Sequence, residues 1–175
     1  MSGTSPADPA PARSFVERLF GTLKLDPDAF TEIENDPSSL GQAAIVVTIA
    51  ATAAGLGNAL ADSGEGIALA IIGNLFAWAV STAMIWLIGV AWLQHESDYP
   101  ELLRTVGFAT APQALYIFAT TEIGMLAMAV GWAWSLAAYV IAVREALDVS
   151  TGRAIGVCLL ANVIVFVLIF TFLAL

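Results

Sequence analysis

Residues 66–93 read GIALAIIGNLFAWAVSTAMIWLIGVAWL and contain no charged side chain. An α-helix rises about 1.5 Å per residue, so roughly 20 apolar residues cross the hydrocarbon core of a bilayer. This stretch exceeds that length and is too apolar for a soluble protein of ordinary composition. We therefore expect residues 66–93 to form a transmembrane helix.

Four further apolar stretches accompany this one, at residues 42–60, 103–119, 123–143 and 154–175. Only 12% of the chain is charged and its mean hydropathy is +0.84, values typical of a protein whose solvent is lipid. The third stretch is short and contains Pro112, so the third and fourth could instead form a broken or re-entrant hairpin. We predict an all-α integral membrane protein, with a five-transmembrane-helix bundle over residues 41–175 and short amphipathic N-terminal helices before it.

The basic side chains decide how the helices are oriented. With five crossings all six fall on one side of the membrane, whereas four crossings would distribute them over both sides. They are Arg13, Arg18, Lys24, Arg104, Arg144 and Arg153. Because cytoplasmic loops are enriched in Lys and Arg, we expect a cytoplasmic N-terminus, an external C-terminus and a place in the cell (plasma) membrane.

The segment before the first span divides into a tail and a leader. Residues 1–12 are rich in Pro, Ala and Ser and are predicted to be a disordered tail. Residues 13–40 are predicted to be a cytoplasmic amphipathic and acidic leader, and its first part carries apolar side chains at helical spacing. These are Phe15, Val16, Leu19, Phe20 and Leu23. So short a helix cannot cross the bilayer, so this face either lies on the cytoplasmic leaflet or packs against the membrane domain.

Two Asp-Pro steps in the leader predict helix starts. Asp at the N-cap followed by Pro at the first helical position is a common start signal. Asp26-Pro27 should therefore begin a short acidic helix that contains Glu32 and Glu34. Asp36-Pro37 should lead into the first transmembrane helix.

The predicted spans carry no Asp, Glu, Lys, Arg or His away from their ends. An intramembrane charge would indicate an ion or proton pathway, and no nucleophile–base pair, metal-ligand cluster or phosphate loop can be assembled either. We expect no enzymatic activity, no cofactor and no metal. The formal net charge of −9 argues against nucleic acid as a partner. Among the neutral polar side chains at depth, Asn74 and Asn162 are expected to hydrogen-bond across helices.

Small residues recur every four positions in the first span, at Ala51, Gly55 and Ala59 and again at Ala53, Gly57 and Ala61. This spacing lets helix backbones approach each other closely. The small-residue face serves packing inside the bundle or, alternatively, self-association of two chains.

The polar segment 143–153 joins the fourth and fifth spans on the cytoplasmic side. Arg144 and Asp148 stand four residues apart, a spacing that suits a salt bridge on one helix. The segment either fixes the depth of the helix end in the membrane or forms a docking surface with the leader and the loop 96–104.

Three groups of residues, taken together, allow the sequence to be compared with known families. The first is Phe20-Gly21-Thr22-Leu23 with Asp26-Pro27 and Phe30. The second is residues 101–109 (ELLRTVGFA) with Ala111-Pro112, and the third is residues 144–147 (REAL) with residues 150–154 (STGRA). Taken in this order they resemble the Yip/Yif domain family of multi-pass, Ypt/Rab-interacting membrane proteins, over nearly the whole chain from Phe15.

For eukaryotic members, this resemblance implies a role in vesicle traffic through binding of prenylated Rab GTPases. The Asp-Leu-Tyr-Gly-Pro motif of the eukaryotic leaders has no counterpart in this sequence, and the region before the first span is brief. The chain is therefore similar to the prokaryotic-type members, and no Rab-binding residue is carried over.

The first function that this pattern favours is a non-enzymatic membrane protein that scaffolds or recruits partners, or organises the membrane, at its cytoplasmic face. Its leader would be anchored by Phe15, Leu19 and Phe20. The side chains facing a protein partner would be Glu32, Glu34, Arg144 and Glu145.

The alternative function is a small transporter or channel subunit for a lipid or apolar solute. It rests on a break in the third span at Thr110, Pro112 and Gln113. Unwound backbone in the middle of a membrane is where such proteins bind their substrates, although a proline kink can also be tolerated by packing alone.

Overall fold

The computed structural model of this protein describes residues 12–60, 66–92, 94 and 97–173. The predicted disordered tail lies outside the described residues except for Ala12, and so do residues 61–65, between the first two predicted spans. Within the described ranges the chain forms helices and no strand. The all-α prediction is confirmed.

Two short helices precede the apolar region, α1 (Phe15–Leu23) and α2 (Pro27–Asn35). The apolar region contains α3 (Ser39–Leu60), α4 (Ile67–Trp86) continued by a π-helix (Leu87–Trp92), α5 (Tyr99–Phe108), a 3-10 helix (Ala111–Phe118), α6 (Gly124–Ala146) and α7 (Thr151–Leu173). Among the described residues each predicted apolar stretch is mainly helical, but the third is divided between α5 and the 3-10 helix.

Three helices in the described part of the chain are long and apolar enough to cross a membrane, namely Ser39–Gly57, Ile67–Val90 and Gly124–Ala146. A shorter apolar helical segment, Thr151–Val167, belongs to α7. The outer surfaces of these helices expose large apolar side chains such as Phe76, Met125 and Phe166. Such a surface is stable in lipid and would aggregate in water.

The two predicted helix starts behave differently. Asp26 caps α2, because its carboxylate accepts a hydrogen bond from the Asp28 N–H at 3.1 Å and Pro27 opens the helix. The second start was placed two residues too early, since α3 begins at Ser39. Asp36 accepts a hydrogen bond from the Ser38 N–H at 2.9 Å, so residues 36–38 form a turn before the helix.

The 3-10 helix lies between α3 and α6, and glycines on both helices allow the close approach. A Cβ atom at Gly57 would lie 2.5 Å from the carbonyl oxygen of Tyr116, and one at Gly131 would lie 3.0 Å from that of Pro112. Gly55 faces Ala70 of α4 in the same way. The small-residue face of the first span therefore packs inside the bundle, while self-association through it stays a prediction.

Candidate functional site

Arg18 joins the leader to the start of the first long helix. Its side chain is only 4% exposed, and its guanidinium lies 3.0 Å from Glu32 and 2.7 Å from Asp36. It also donates a hydrogen bond to the Ser39 hydroxyl at 2.7 Å. Because a buried charge is stable only when it is paired and hydrogen-bonded, these contacts fix α1 against both α2 and α3.

Arg104 of α5 fixes the other end of α2. It is buried, and its guanidinium donates hydrogen bonds to the carbonyl oxygens of Ile33, at 3.2 Å, and Glu34. The last carbonyls of a helix have no partner within that helix, and the negative end of the helix dipole favours a cation there. A side chain from the membrane domain therefore supplies the C-terminal cap of a leader helix.

The apolar side chains of α1 divide between two environments. Phe15 packs edge-to-face on Phe108 with ring centroids 6.1 Å apart, and Leu19 also packs on the core. Val16 and Phe20 are 54% and 57% exposed on the outer side of α1. Of the three predicted anchors, the structure brings Phe15 and Leu19 to the membrane domain and leaves Phe20 on the surface.

An acidic patch forms where α2, α5 and the end of α6 meet. Glu34 interacts electrostatically with Glu101, Glu145 and Asp148, which come from different parts of the chain. The Thr31 hydroxyl donates to a carboxylate oxygen of Glu145 at 3.3 Å, which joins α2 to α6. No three His, Cys, Asp or Glu side chains in the described ranges are grouped so as to hold a metal ion. The patch is therefore a charged surface.

The charge state of Glu34 depends on this patch. Burial, followed by the charges of Glu101 and Glu145, raises the pKa of Glu34 from 4.5 to about 7, although Arg104 acts in the opposite direction. Two residues further on, hydrogen bonds from Ser38 and Arg18 hold the pKa of Asp36 below its ordinary value. The pKa values of the two carboxyl groups shift in opposite directions because Asp36 accepts hydrogen bonds from nearby donors, whereas Glu34 is partly buried and lies near like charges.

The predicted salt bridge between Arg144 and Asp148 does not form in the structure. Arg144 pairs with its neighbour Glu145, while α6 ends at Ala146. Asp148 follows the helix end with a backbone φ of 48°, so it has left the helical register that the four-residue spacing requires. Of the predicted partner-facing residues, Glu34, Arg144 and Glu145 lie near this patch, whereas Glu32 pairs with Arg13 and Arg18.

The third apolar stretch changes helix type at the residues singled out from the sequence. α5 ends at Phe108, and the Thr110 hydroxyl donates to the Gly107 carbonyl at 2.7 Å. Pro112 is buried in the first turn of the 3-10 helix, and Gln113 follows it half-buried. Thr110 and Gln113 both line a cavity among α3, α4, α6 and α7.

This cavity has a volume of about 380 Å³, and a second one of about 190 Å³ adjoins it. Four polar side chains line both: Ser81, Gln113, Tyr139 and Asn162. No charged residue lines either cavity. Because the two share these side chains, we call them the joined cavities; their walls are mainly apolar with a few neutral polar groups, the usual character of a small-molecule site.

The two asparagines near the cavity contradict their prediction. Asn74 donates to the carbonyl of Ala70 at 2.9 Å and Asn162 to that of Cys158 at 2.7 Å, both four residues earlier in the same helix. Neither makes a hydrogen bond to another helix within the described residues. A long helix satisfies its own polar side chains at no cost in helix spacing, so its own backbone is the nearer partner.

Two functional features were missed by sequence reasoning. One is the burial of Arg18 and Arg104, although a single arginine inside the apolar run 102–109 was a visible signal. The other is Ser135, which is 4% exposed, lines the smaller cavity and has an oxygen without a hydrogen-bond partner in the described part of the chain. A serine in an apolar helix gives no signal of its own, since most such hydroxyls bond to their own helix.

Comparison with known proteins gives one match that spans the features described above. The family described as the Yip1 domain matches residues 20–173. No curated protein and no solved structure matches the chain. The matched range begins within α1, after Arg18, and ends with α7, so it includes α2, the acidic patch and the cavity.

Proposed function

This chain belongs to the Yip1 domain family, and on that premise we propose that it recruits a protein partner at its cytoplasmic face without catalysing a reaction. The match confirms the resemblance found in the sequence. Attachment of the leader to the membrane domain by two buried arginines is the observation that carries the proposal. A leader held in this way presents its charges in fixed positions, which lowers the entropy lost when a partner binds.

The acidic patch determines the chemistry of the partner. In the described part of the chain, Glu34 interacts with three carboxylates and with Arg104, while Arg144 pairs with Glu145, so a basic segment is the complementary surface. Glu32 belongs to the leader's own ion pairs and is assigned to docking. Contacts of this kind give specificity and fast association and weaken with salt.

Five membrane crossings remain our proposal for the topology. The third crossing would consist of the end of α5, which has 10 residues, and the 3-10 helix, which has 8. α7 has 23 residues, enough for a fifth crossing. Arg18, Arg104 and Arg144 all lie near α2, which supports a single cytoplasmic side carrying the positive charges.

The outer face of α1 lies, in this proposal, in the cytoplasmic leaflet. Val16 and Phe20 face away from the protein, and the Trp134 indole of α6 donates to the Leu23 carbonyl at 2.9 Å. That contact joins the end of α1 to α6. The two interpretations of the amphipathic helix are therefore compatible, because one side packs on the bundle while the other meets lipid.

Copurification with charge variants tests the recruiting function. The full-length chain would carry a C-terminal tag and be purified in mild detergent from its native membrane, alongside Glu145→Lys and the control Glu122→Lys, an exposed site outside the patch. We expect a partner that is lost at high salt and with Glu145→Lys but kept with the control. An identical set of proteins with all three chains would contradict the proposal.

A second candidate function, carriage of a lipid or apolar solute, is favoured by the cavity at the interrupted third stretch. Flux into proteoliposomes that disappears with Gln113→Ala would support it. Flux no higher than that of empty vesicles would exclude transport while leaving the recruiting function untouched.

A further inference from the structure

The joined cavities contain hydrogen-bonding capacity that the protein does not use. Ser135 lines the smaller cavity, and its buried oxygen has no hydrogen-bond partner in the described part of the chain, while Gln113 lines both cavities. Leaving a buried polar group unsatisfied costs about 1–3 kcal/mol, so such groups are expected to have partners. Here such a group, the Ser135 hydroxyl, belongs to a residue in the cavity wall, which points to a bound molecule as its partner.

The charge of that molecule follows from the lining. All polar groups of the side chains around both cavities are neutral: they are amides, hydroxyls, indoles and one thiol. An ion placed there would lose its hydration without gaining a counter-charge, a large cost in a low-dielectric interior. The cavity therefore selects an uncharged ligand.

The position of the cavity openings indicates whether the ligand enters from water or from the bilayer. Phe76 lines the larger cavity and is 70% exposed, and Trp132 lines the smaller one and is 63% exposed. Both belong to helices that can cross the membrane, and both lie within their apolar spans. The openings beside them face hydrocarbon, so the ligand enters from the bilayer.

We propose that the joined cavities bind an uncharged, membrane-dissolved amphiphile with a hydroxyl or carbonyl headgroup, such as a long-chain alcohol or a diacylglycerol. Its headgroup hydrogen-bonds to Ser135 and Gln113. Its hydrocarbon chain packs against Trp78 and Val80 and leaves the cavity towards the lipid near Phe76. The site does not depend on the recruiting function, since it lies among the spans and not in the acidic patch.

Photolabelling of the full-length chain in phosphatidylcholine nanodiscs tests this site. The probe is hexadecanol with a photoactivatable group on its chain, and the matched probe is hexadecyl sulfate with the same chain and a permanent charge. We expect saturable labelling by the alcohol within residues 74–81, 110–113 and 132–139, displaced by unlabelled hexadecanol. The sulfate should not label these segments saturably.

Variants separate specific binding from general effects on the fold. Ser135→Ala and Gln113→Leu each remove one hydrogen bond to the headgroup, which should weaken binding about fivefold. Thr82→Val is the control, because Thr82 is buried with an unpartnered hydroxyl in the described chain but does not line either cavity. Its affinity for the alcohol should equal that of the parent protein.

Three results would overturn the proposal: labelling that does not saturate, equal labelling by the sulfate, or the same loss with Thr82→Val as with Ser135→Ala. If Ser135→Ala does not yield a monodisperse protein, Gln113→Leu and the competition by hexadecanol still decide the question. Copurification of the partner is measured separately, so failure of this site and failure of the recruiting function are distinguishable.

Discussion

The docked leader and the joined cavities place polar groups in buried surroundings in opposite ways. At the leader, Arg18 and Arg104 reach across helices to carboxylates and helix-end carbonyls. In the cavities, Asn74 and Asn162 bond to their own helices, while Ser135 is unpaired in the described chain. Buried charges require partners from elsewhere in the fold and therefore fix its parts together, whereas neutral groups can leave capacity for a ligand.

Removing Arg18 should have the largest effect of any change at the leader. Arg18→Ala leaves Glu32 and Asp36 without their buried partner, which we expect to destabilise leader docking by about 3 kcal/mol. The measurement is the rate of tryptic cleavage after Lys24 in the full-length chain in detergent, which should rise at least tenfold.

The matched control is Arg153→Ala, which removes an exposed arginine with no ion pair in the described ranges. Its cleavage rate after Lys24 should stay at the parent level. Equal rates for Arg18→Ala and the parent would mean that the ion pairs do not hold α1 in place.

The next largest effect on stability is expected where the 3-10 helix lies close to α3 at Gly57. Gly57→Ala puts a Cβ atom 2.5 Å from a backbone oxygen that cannot move independently, so it should destabilise the bundle by about 1–3 kcal/mol. Gly73→Ala is the control, since a Cβ there meets nothing within 4 Å and alanine favours the helix. Thermal unfolding in detergent should lower the Tm for the first variant only, and equal Tm values would exclude this packing role.

Apolar length and the positions of Asp-Pro, Pro112 and the small residues allowed much of the fold to be predicted. They indicate local properties, namely which residues suit lipid, where a helix can begin and where it is interrupted. The division of the third stretch was harder to predict in detail, because α5 and the 3-10 helix follow from packing against α3 and α6.

The site was predictable only in part, because its residues act through neighbours that are distant in the sequence. Glu34 and Glu145 were chosen for their exposed, acidic context, and they lie near one patch. Glu32 looked identical in the sequence but lies within reach of two arginines. Glu32 is paired with arginines because α1 packs against α2. A short sequence pattern does not indicate such a tertiary contact, so it could not show which of these glutamates is free to face a protein partner.

The acidic patch should make stability depend on pH in a defined window. Glu34 has a raised pKa of about 7 in the folded protein against 4.5 when unfolded, so the folded state holds its proton more tightly. Stability is therefore highest below pH 4.5 with respect to this group and is lost as pH rises through about 7. After allowance for solvent screening of a half-buried carboxylate, we expect a loss of about 1–2 kcal/mol.

Glu34→Gln removes this ionisation and should be more stable than the parent above pH 7. The difference in Tm between the two should widen from pH 4.5 to 7 and then stay constant. Glu122→Gln, an exposed change outside the patch, is measured beside it. A difference that does not vary with pH would show that burial and the charges of Glu101 and Glu145 do not raise the pKa of Glu34.

The smallest expected change in stability comes from removing a buried hydroxyl that has no hydrogen-bond partner, and it tests the contrast between paired and unpaired polar groups most directly. Thr82→Val replaces a buried hydroxyl that lacks a partner in the described chain with a methyl group, so it should raise stability by up to about 1 kcal/mol. Ser135→Ala should do the same in pure detergent.

Added hexadecanol should then stabilise the parent and Thr82→Val more than Ser135→Ala, because Ser135 lines the proposed site and Thr82 does not. If hexadecanol shifts the Tm of all three proteins equally, the Ser135 hydroxyl does not bind the ligand.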